Sequence, residues 1–304
     1  MSAEAEHVAA PCPAAYGPAM PTPAFPPPAA CDCHVHVIGP KPRFPLARER
    51  SYTPKDALAA ELAAMLERLG LERVVLVQPS FYRTDNACML DAMAKIKNSR
   101  GVAVLPAKVA AAELDRLHAQ GIRGLRVNIA TGGAASVEVM RRDIAAAARL
   151  CERHGWHVQL FVPSTAIEPL APLLTALPVA TVIDHFGLIA PGADTPALRA
   201  LTCLLEAGKT WVKISGAYRI GSWRDPRIGP LARTLCAANP QRIVWGSDWP
   251  HTPKHSQRKP NAEEELPFQA IDTAALLALV PKWLEDDRLV RRVMVSNPAK
   301  LYDF

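Results

Sequence analysis

Short runs of β-branched and apolar residues alternate along most of the chain with longer stretches rich in alanine and leucine. The runs have the length and composition of buried strands, whereas the longer stretches show the apolar spacing of amphipathic helices. Eight strands are predicted, at 32–38, 73–78, 101–107, 122–128, 156–162, 179–185, 210–216 and 242–248. Helices are predicted between them at 54–70, with Pro54 at its start and Gly70 at its end, and at 85–97, 111–121, 137–155 and 196–208.

Regular strand–helix alternation predicts a parallel sheet, because parallel neighbours need a long crossover connection. Eight repeats favour a closed (β/α)₈ TIM barrel, a fold that takes about 250 residues. An open doubly wound sheet is the alternative fold, but no glycine-rich phosphate loop follows the first strand. We therefore predict an α/β protein with one barrel domain over residues 31–304.

Residues 1–30 differ from the rest in composition. Eight of the eighteen residues from Pro11 to Pro28 are prolines, with no periodic apolar pattern. Such a segment is expected to be extended and flexible, although it could also dock on a neighbouring subunit. We predict a proline-rich N-terminal extension at 1–30; a homo-oligomer is compatible with the sequence.

The formal charge of +6 and the pI near 9.0 raise the question of an anionic partner. Basic residues are dispersed, at most in pairs such as Arg141–Arg142, which argues against nucleic acid. A small carboxylate or lactone substrate agrees better with this mild positive charge.

Seven cysteines, an odd number spread over the whole chain, do not form a disulfide framework. No apolar stretch approaches the roughly 18 residues of a membrane span, and the N-terminus lacks a secretory signal pattern. We expect a cytoplasmic protein without membrane association.

Candidate chemistry lies at predicted strand ends, where barrel active sites are built. Strand periodicity places His34 and His36 on one face of the first strand. The sixth strand ends at His185 and the eighth at Asp248, a carboxylate that needs a partner if buried. Three imidazoles and one carboxylate suit a zinc-like ion with an open position for water. Structural histidines are the alternative interpretation.

The motifs at these ends resemble the amidohydrolase superfamily. They are H-x-H at 34–36, V-I-D-H at 182–185 and R-I-V-W-G-S-D-W-P-H at 242–251. More narrowly, the chain resembles the 2-pyrone-4,6-dicarboxylate hydrolases and related sugar-lactone and muconolactone hydrolases. The likeness also includes Y-T-P-K-D-A at 52–57, Q-P-S-F-Y-R-T-D-N at 78–86, G-L-R-V-N at 124–128 and N-P-A-K-L-Y at 297–302. This resemblance implies a barrel hydrolase that opens a lactone.

Two departures concern the metal. Many superfamily members carry a bridging lysine on strand 4 and a ligand histidine on strand 5. Here strand 4 ends with Arg126 and Asn128, and strand 5 carries Gln159 and Phe161. The resemblance therefore implies at most one divalent ion, held by His34, His36, His185 and Asp248. Zinc is the first expectation; manganese, or no metal as in the pyrone dicarboxylate hydrolases, are the alternatives.

Two further departures concern the substrate. The pyrone hydrolases hold two carboxylates with several arginines and a tyrosine; Arg126 and Arg219 match two of these arginines. Phe161 stands where the tyrosine is expected and Leu188 where another arginine is expected. A lactone with one carboxylate, a sugar-acid lactone or a muconolactone therefore agrees better than the dicarboxylate.

The resemblance assigns roles as follows. Asp248 accepts the proton of the attacking water and passes it to the leaving oxygen. His34, His36 and His185 hold the metal or polarise the carbonyl directly, and Arg126 and Arg219 bind the substrate carboxylate. Further candidates are His251, which would orient Asp248 from outside the cluster, and the cavity-wall residues Tyr52, Gln78, Ser80 and Tyr218. The other histidines are predicted to be mostly solvent-facing: His7, His118, His154, His157 and His255.

Three alternatives to a lactone hydrolase stay open. A metal-dependent decarboxylase of the aminocarboxymuconate-semialdehyde type uses a similar scaffold, but 31–36 lacks the acidic residue expected near strand 1. A lactone isomerase differs only in the fate of the opened ring. A barrel that binds a ligand without turnover is the non-enzymatic alternative.

Overall fold

The computed structural model describes residues 25–130, 135–253 and 263–304. Eight parallel strands form one sheet in which chain order equals spatial order. The strands are β1 (Cys31–Val35), β2 (Arg73–Val77), β3 (Ser99–Ala103), β4 (Ile122–Asn128), β5 (His157–Phe161), β6 (Thr181–Ile183), β7 (Thr210–Ser215) and β8 (Ile243–Gly246). Each lies at a predicted run, so the strand predictions are confirmed.

The sheet closes on itself where the chain leaves β8. Val35 pairs in parallel with Trp249. The Asp248 amide donates to the His34 carbonyl at 2.9 Å, and the His36 amide donates to the Trp249 carbonyl at 2.9 Å. This seam joins β1 to the end of β8 and confirms the (β/α)₈ barrel.

Helices follow the first seven strands and surround the sheet. They are α1 (Ala59–Leu69), α2 (Ala87–Lys95), α3 (Ala111–Ala119), α4 (Val137–Cys151), α5 (Ile167–Ala176), α6 (Pro196–Glu206) and α7 (Ile228–Ala238). After β8 come short helices at Thr273–Leu277, Val280–Leu284, Asp287–Arg291 and Asn297–Tyr302, with a π-helical turn at Arg292–Ser296. Single 3₁₀ turns include Ser80–Tyr82, Ser164–Ala166, His185–Leu188 and Ala217–Arg219.

The predicted start of the first helix is wrong. Helix α1 begins at Ala59, whereas Pro54 lies in a two-residue strand, Thr53–Pro54, that pairs with Glu265–Leu266. Ala57 is held extended because it exchanges two backbone hydrogen bonds with Ile38. Pairing with distant strands overrides the local preference of proline for a first helical turn. The predicted end is confirmed, because Gly70 caps α1 with φ of 66°.

The barrel interior is apolar towards the amino-terminal ends of the strands and polar towards their carboxyl-terminal ends. Its lower part is packed by Cys31, Cys33, Val75, Val77, Val102, Val182, Trp211, Val244 and Tyr302. A bulge lies between Asp32 and Val35, where β1 gains one residue over β2. A bulge changes which alternate residues face inward. His34 and His36 therefore point into the barrel above Cys31 and Cys33.

Residues 25–30, the end of the predicted extension, lie against the barrel. The Arg73 side chain donates to the Ala29 carbonyl, and the Ala29 amide donates to Glu72 at 2.9 Å. Residues 1–24, and with them most of the predicted extension, lie outside the described residues, as does 131–134 of the loop after Asn128. Across the described ranges, no helix has the length and apolar character needed to cross a membrane.

Candidate active site

Three strand ends bring together the four residues that the sequence singles out. Asp248 Oδ1 lies 3.7 Å from His34 Nε2 and 3.6 Å from His36 Nε2. Its second oxygen, Oδ2, lies 3.9 Å from His185 Nε2. All four side chains are buried. The arrangement places one carboxylate among three imidazoles at the upper end of the barrel.

Backbone conformation contributes to this convergence. His185 and Asp248 adopt left-handed φ values of 52° and 64° directly after their strands. Such values cost non-glycine residues about 1 kcal/mol or more and are concentrated at functional sites. Gly246 allows the close approach of β8 to β1, because a Cβ there would lie 2.7 Å from the His34 backbone nitrogen.

The two oxygens of Asp248 have different surroundings. Oδ2 accepts hydrogen bonds from the Tyr218 hydroxyl at 2.7 Å and from Arg219 Nε. Oδ1 has no hydrogen-bond partner among the described residues. Burial alone would raise the pKa of Asp248, but the charge of Arg219 beside it holds that pKa well below its usual range. Asp248 is therefore a carboxylate at neutral pH, with one oxygen free to accept a proton or bind a cation.

The protonation of His36 follows from its partner. Its Nδ1 lies 2.7 Å from the Val77 carbonyl, which can only accept, so Nδ1 carries the hydrogen and Nε2 carries a lone pair. Burial lowers the pKa of His36, and lowers those of His34 and His185 further. All three rings are consequently neutral at physiological pH, the state in which imidazole binds metals.

The donor set fits one divalent ion. One possible ligand atom each of His34, His36 and Asp248 lies within 4.8 Å of the other two. Within the described part of the chain, His34 Nε2 and Asp248 Oδ1 are buried without a hydrogen-bond partner. Ligands of a tetrahedral zinc ion lie about 3.4 Å apart when each bond is about 2.1 Å. The distances of 3.6 and 3.7 Å from Asp248 to the two imidazoles are close to that spacing.

A second possible metal group shares His34 with the first and adds Asp184 and His185. Lys213 Nζ lies 3.9 Å from Asp184 Oδ1 and 3.5 Å from His34 Nδ1. A cation from the chain itself therefore already lies beside this second group.

A cavity of about 300 Å³, counting its opening to solvent, lies above the cluster. Four of the predicted substrate residues line it: Tyr52, Ser80, Arg126 and Arg219. The other lining residues are His36, Pro79, Asn128, Phe161, His185 and Thr252. The sequence did not single out Asn128 or Thr252 as wall residues.

Two of the predicted wall residues, Gln78 and Tyr218, do not line the cavity. The Gln78 side-chain amide donates to the carbonyls of Arg83 and Asp85, and so supports the loop after β2. The Tyr218 hydroxyl donates to Asp248. These two residues support the site from outside the cavity.

His251 contacts Asp248 through the backbone. Its amide donates to the Asp248 carbonyl at 2.9 Å, while its imidazole lies 2.9 Å from the Thr273 hydroxyl. The ring packs edge-on against Tyr218 at 5.5 Å, and burial lowers the pKa of His251 to about 4. The His251 imidazole therefore makes no direct hydrogen bond to the Asp248 carboxylate among the described contacts.

Two arginines face the cavity in different ways. Arg219 is bound at Nε by Asp248 and at Nη2 by the Thr252 hydroxyl. Arg126 donates from Nη1 to the Gln78 carbonyl, and its buried Nε has no hydrogen-bond partner among the described residues. The Phe161 ring centroid lies 5.7 Å from the Arg126 guanidinium carbon and 6.0 Å from that of Arg219. The cavity therefore presents two cationic side chains and an aromatic ring close to both.

Sequence reasoning missed the polar residues directly beneath His34. Lys213 is fully buried and donates to the Cys33 carbonyl and to Gln159 Oε1, each at 2.7 Å. Burial lowers the pKa of Lys213 to about 8. The available signal was a lysine in the apolar run T-W-V-K-I-S-G, at the inward-facing position between Trp211 and Ser215.

The solvent-facing prediction is wrong for His157. This residue opens β5, points into the barrel and is 2% exposed, so that burial lowers its pKa to about 3. His118 and His154 are half-buried and stack on each other at 4.3 Å. His7 and His255 lie outside the described residues.

The chain belongs to the amidohydrolase family: the profile described as Amidohydrolase matches residues 31–304. It is therefore a hydrolase built on a TIM barrel. It is 33% identical over 294 residues to a 2-pyrone-4,6-dicarboxylate hydrolase of Comamonas testosteroni, covering 91% of this chain and 90% of the relative. It is also 33% identical to a 4-sulfomuconolactone hydrolase of Hydrogenophaga intermedia, with 91% and 89% covered.

A solved structure agrees with these relatives. A protein named as a probable 2-pyrone-4,6-dicarboxylic acid hydrolase from Acinetobacter baumannii, with citric acid bound, superposes with a TM-score of 0.74 at 26% identity. The match covers 91% of this chain and all of that one. The similarity to lactone hydrolases confirms the family resemblance expected from the motifs.

Proposed function

We propose that this protein opens a lactone that carries one carboxylate, by attack of a water molecule whose proton is taken up by Asp248. The observation that carries the proposal is the free Oδ1 of Asp248. It faces the Nε2 atoms of His34 and His36 below a cavity with two arginines in its walls.

Arg126 and Arg219 supply the charge that recognises the substrate carboxylate. Arg126 donates to the Gln78 carbonyl and lies 3.8 Å from Asp184, whereas Arg219 binds Asp248 and Thr252 directly, so the Arg126 guanidinium has fewer direct hydrogen bonds. Phe161 offers a planar apolar face to the lactone ring. The relatives named for pyrone dicarboxylate and sulfomuconolactone hydrolysis, and the related structure that holds citric acid, support an anionic substrate. One carboxylate suits this cavity better than two, since Phe161 and Leu188 replace two expected anion-binding residues.

The chain's own residues account for the proton movements. Asp248 is ionised, and its free Oδ1 is placed to take a proton from water as the oxygen attacks the lactone carbonyl. The acyl C–O bond then breaks, and Asp248 returns the proton to the leaving ring oxygen. The products are a carboxylate and a hydroxyl on one open-chain molecule.

The metal content is tested separately from lactone turnover. His34, His36 and Asp248, with His185 beside them, would hold one divalent ion, zinc first and manganese as the alternative. Such an ion, when bound, lowers the pKa of a coordinated water towards about 7 and polarises a carbonyl. Without a metal, polarising the carbonyl would fall to a ring N–H of His34 or His185, since His36 carries its hydrogen on Nδ1 and presents only a lone pair at Nε2.

A lactone screen tests the proposal. Purified protein is incubated with a muconolactone, several sugar-acid lactones and pyrone dicarboxylate, and the products are identified by NMR. We expect ring-opened hydroxy acids, with at least one monocarboxylate lactone turned over faster than the dicarboxylate. Formation of an isomeric lactone, release of CO₂, or no turnover of any lactone would each overturn the proposal. Asp248→Asn serves as the inactive control.

A further inference from the structure

A fully buried carboxylate, that of Asp32, lies on β1 two residues before His34. Its Oδ1 accepts hydrogen bonds from two backbone amides, that of His34 at 3.1 Å and that of Ser247 at 2.9 Å. Ser247 directly follows β8 in the chain. One side-chain oxygen therefore joins the two strands between which the barrel closes, and the proposed reaction makes no use of it.

Both amides belong to the backbone that carries reacting groups. One is the amide of His34 itself, and the other is that of the residue directly before Asp248. The Asp248 amide in turn donates to the His34 carbonyl at 2.9 Å. The backbone of His34 and that of Ser247–Asp248 are thus joined twice, once directly and once through the Asp32 carboxylate.

The turn that carries Asp248 depends on such support. Asp248 has a left-handed φ of 64°, which is unfavourable for a residue with a side chain. The Trp249 amide donates to the Ser247 hydroxyl oxygen at 3.0 Å, a bond within the turn. The bond from the Ser247 amide to Asp32 ties the turn to β1. A shift of this turn would change the distance from Asp248 Oδ1 to His34 Nε2, which is 3.7 Å.

Holding two amides requires an oxygen at this position. The carbonyl oxygen of an asparagine side chain could accept the same two hydrogen bonds, whereas alanine removes the acceptor from both amides. A buried N–H group that loses its acceptor is costly, so the backbone would rearrange to restore one. Replacing Asp32 by alanine should therefore move β1 and the turn after β8 relative to each other.

We infer that Asp32 is a positioning residue, whose Oδ1 binds the His34 and Ser247 amides together and so fixes the His34 imidazole relative to the Asp248 carboxylate. Asp32 is not among the residues that line the cavity, so it acts through the backbone and is not a catalytic residue. The kinetic part of this inference rests on the proposed lactone hydrolysis; the backbone link itself does not.

Hydrogen exchange of single backbone amides, followed by NMR, tests the link without any substrate. In Asp32→Ala we expect the His34 and Ser247 amides to exchange about tenfold faster, relative to the amides of β5 in the same protein. In Asp32→Asn we expect both amides to stay as protected as in the wild type. Normalisation to β5 removes any effect of lower global stability. Unchanged relative protection of both amides in Asp32→Ala would overturn the inference.

Asn297→Ala is the matched control, because it breaks a comparable link at the opposite end of β8. The buried Asn297 side chain donates to the carbonyls of Pro240 at 2.9 Å and Ile243 at 2.7 Å. This variant should also be less stable than the wild type. We expect its His34 and Ser247 amides to keep their relative protection.

Kinetics on a lactone substrate separate positioning from general structural support. Displacement of reacting groups by about 1 Å can cost about 100-fold, so we expect kcat to fall by about 10- to 100-fold in Asp32→Ala. KM should change by less than about twofold, because the cavity walls are untouched. Asp32→Asn should restore kcat, and Asn297→Ala should keep it.

Two kinetic outcomes would overturn the inference. One is an equal loss of kcat in Asp32→Ala and Asp32→Asn, which would assign the effect to the lost charge. The other is an equal loss in Asp32→Ala and Asn297→Ala, which would assign it to stability. If Asp32→Ala does not fold, Asp32→Ser, whose side chain is one bond shorter than that of aspartate, takes its place with the same expectations. Faster exchange in a protein that opens no lactone would refute only the proposed function.

Discussion

Arg219 and Asp248 form a buried ion pair that gives the two carboxylate oxygens different partners. Arg219 Nε binds Oδ2, while Oδ1 faces the imidazoles of His34 and His36 at 3.7 and 3.6 Å. The pair keeps Asp248 ionised despite its burial and fixes the plane of the carboxylate. The orientation of the proposed base therefore depends on a residue that also lines the cavity.

Asp248→Asn should abolish turnover while the barrel stays folded. The amide is nearly the same size, but it has no oxygen able to take a proton from water. General base groups contribute about 10²- to 10⁴-fold, so we expect kcat to fall by at least about 100-fold. Steady-state kinetics on the best lactone from the screen measure the loss, and circular dichroism verifies folding. Activity close to wild type in a folded variant would contradict the assigned role.

Arg219→Gln should shift the acidic limb of the pH–rate profile to higher pH. Arg219 lowers the pKa of Asp248, so its removal raises that pKa, and a smaller fraction of Asp248 is ionised at a given acidic pH. Removing a neighbouring arginine typically raises a carboxyl pKa by about 1–3 units. The profile of kcat/KM measures the shift.

Arg126→Gln is the matched control for this shift. It removes the same charge from the cavity wall but no hydrogen bond to Asp248, so we expect KM to rise while the acidic limb moves less. An equal shift of the limb in both variants would show that Arg219 acts only as a general positive charge.

The alternation of apolar runs was sufficient to predict the barrel, and strand periodicity was sufficient to place His34 and His36 on one face of β1. That this face points inward depends on the bulge between Asp32 and Val35. Local signals failed where distant contacts decide the outcome. Pro54 lies in a strand because it pairs with Leu266, more than two hundred positions away in sequence. Lys213 escaped notice because its role depends on Gln159 and Asp184, which come from other strands. One Asp248 oxygen binds Arg219 and the other faces the imidazoles. This arrangement likewise depends on side-chain directions, which cannot be read from the spacing of residues in the sequence.

One zinc ion per chain is expected after loading with zinc and removal of the excess. One possible ligand atom each of His34, His36 and Asp248 lies within 4.8 Å of the other two, whereas Lys213 lies 3.9 Å from Asp184 of the second group. Elemental analysis measures the stoichiometry. His36→Gln should lower the bound zinc well below one per chain, and His251→Gln, outside the cluster, should retain it. Two ions per chain, or none, would contradict the expectation.

His157 should make the protein less stable in mild acid. Its pKa is about 3 in the folded chain and 6.5 as the ordinary value. The unfolded state therefore binds the proton first, and the stability that the neutral form provides above pH 6.5 is lost as pH falls towards about 3. At pH 5 the loss is about 2 kcal/mol, from 1.5 pH units at about 1.36 kcal/mol each. Urea unfolding of wild type and His157→Gln at pH 7 and pH 5 measures it. Equal changes between the two pH values in both proteins would contradict this assignment.

Gly124 should not tolerate even one added methyl group, because that group would clash with the His157 ring. A Cβ at position 124 would lie 2.4 Å from His157 Nε2 and 2.5 Å from its Cε1, inside the closed barrel where the ring has little room to shift. Overpacking of this kind costs about 1–3 kcal/mol. Gly124→Ala should therefore lower the free energy of unfolding by about that amount, measured in urea at pH 7.

Two comparisons identify the clash as the cause. In a His157→Ser background the added methyl group no longer meets a ring, so the cost of Gly124→Ala should fall to a small fraction of its value in the wild type. Gly229→Ala in α7, where a Cβ would meet its neighbours at ordinary contact distances of 3.4 to 3.7 Å, should be neutral or slightly stabilising. A full penalty for Gly124→Ala in the absence of the imidazole would show that β4 backbone geometry, rather than His157, excludes the side chain.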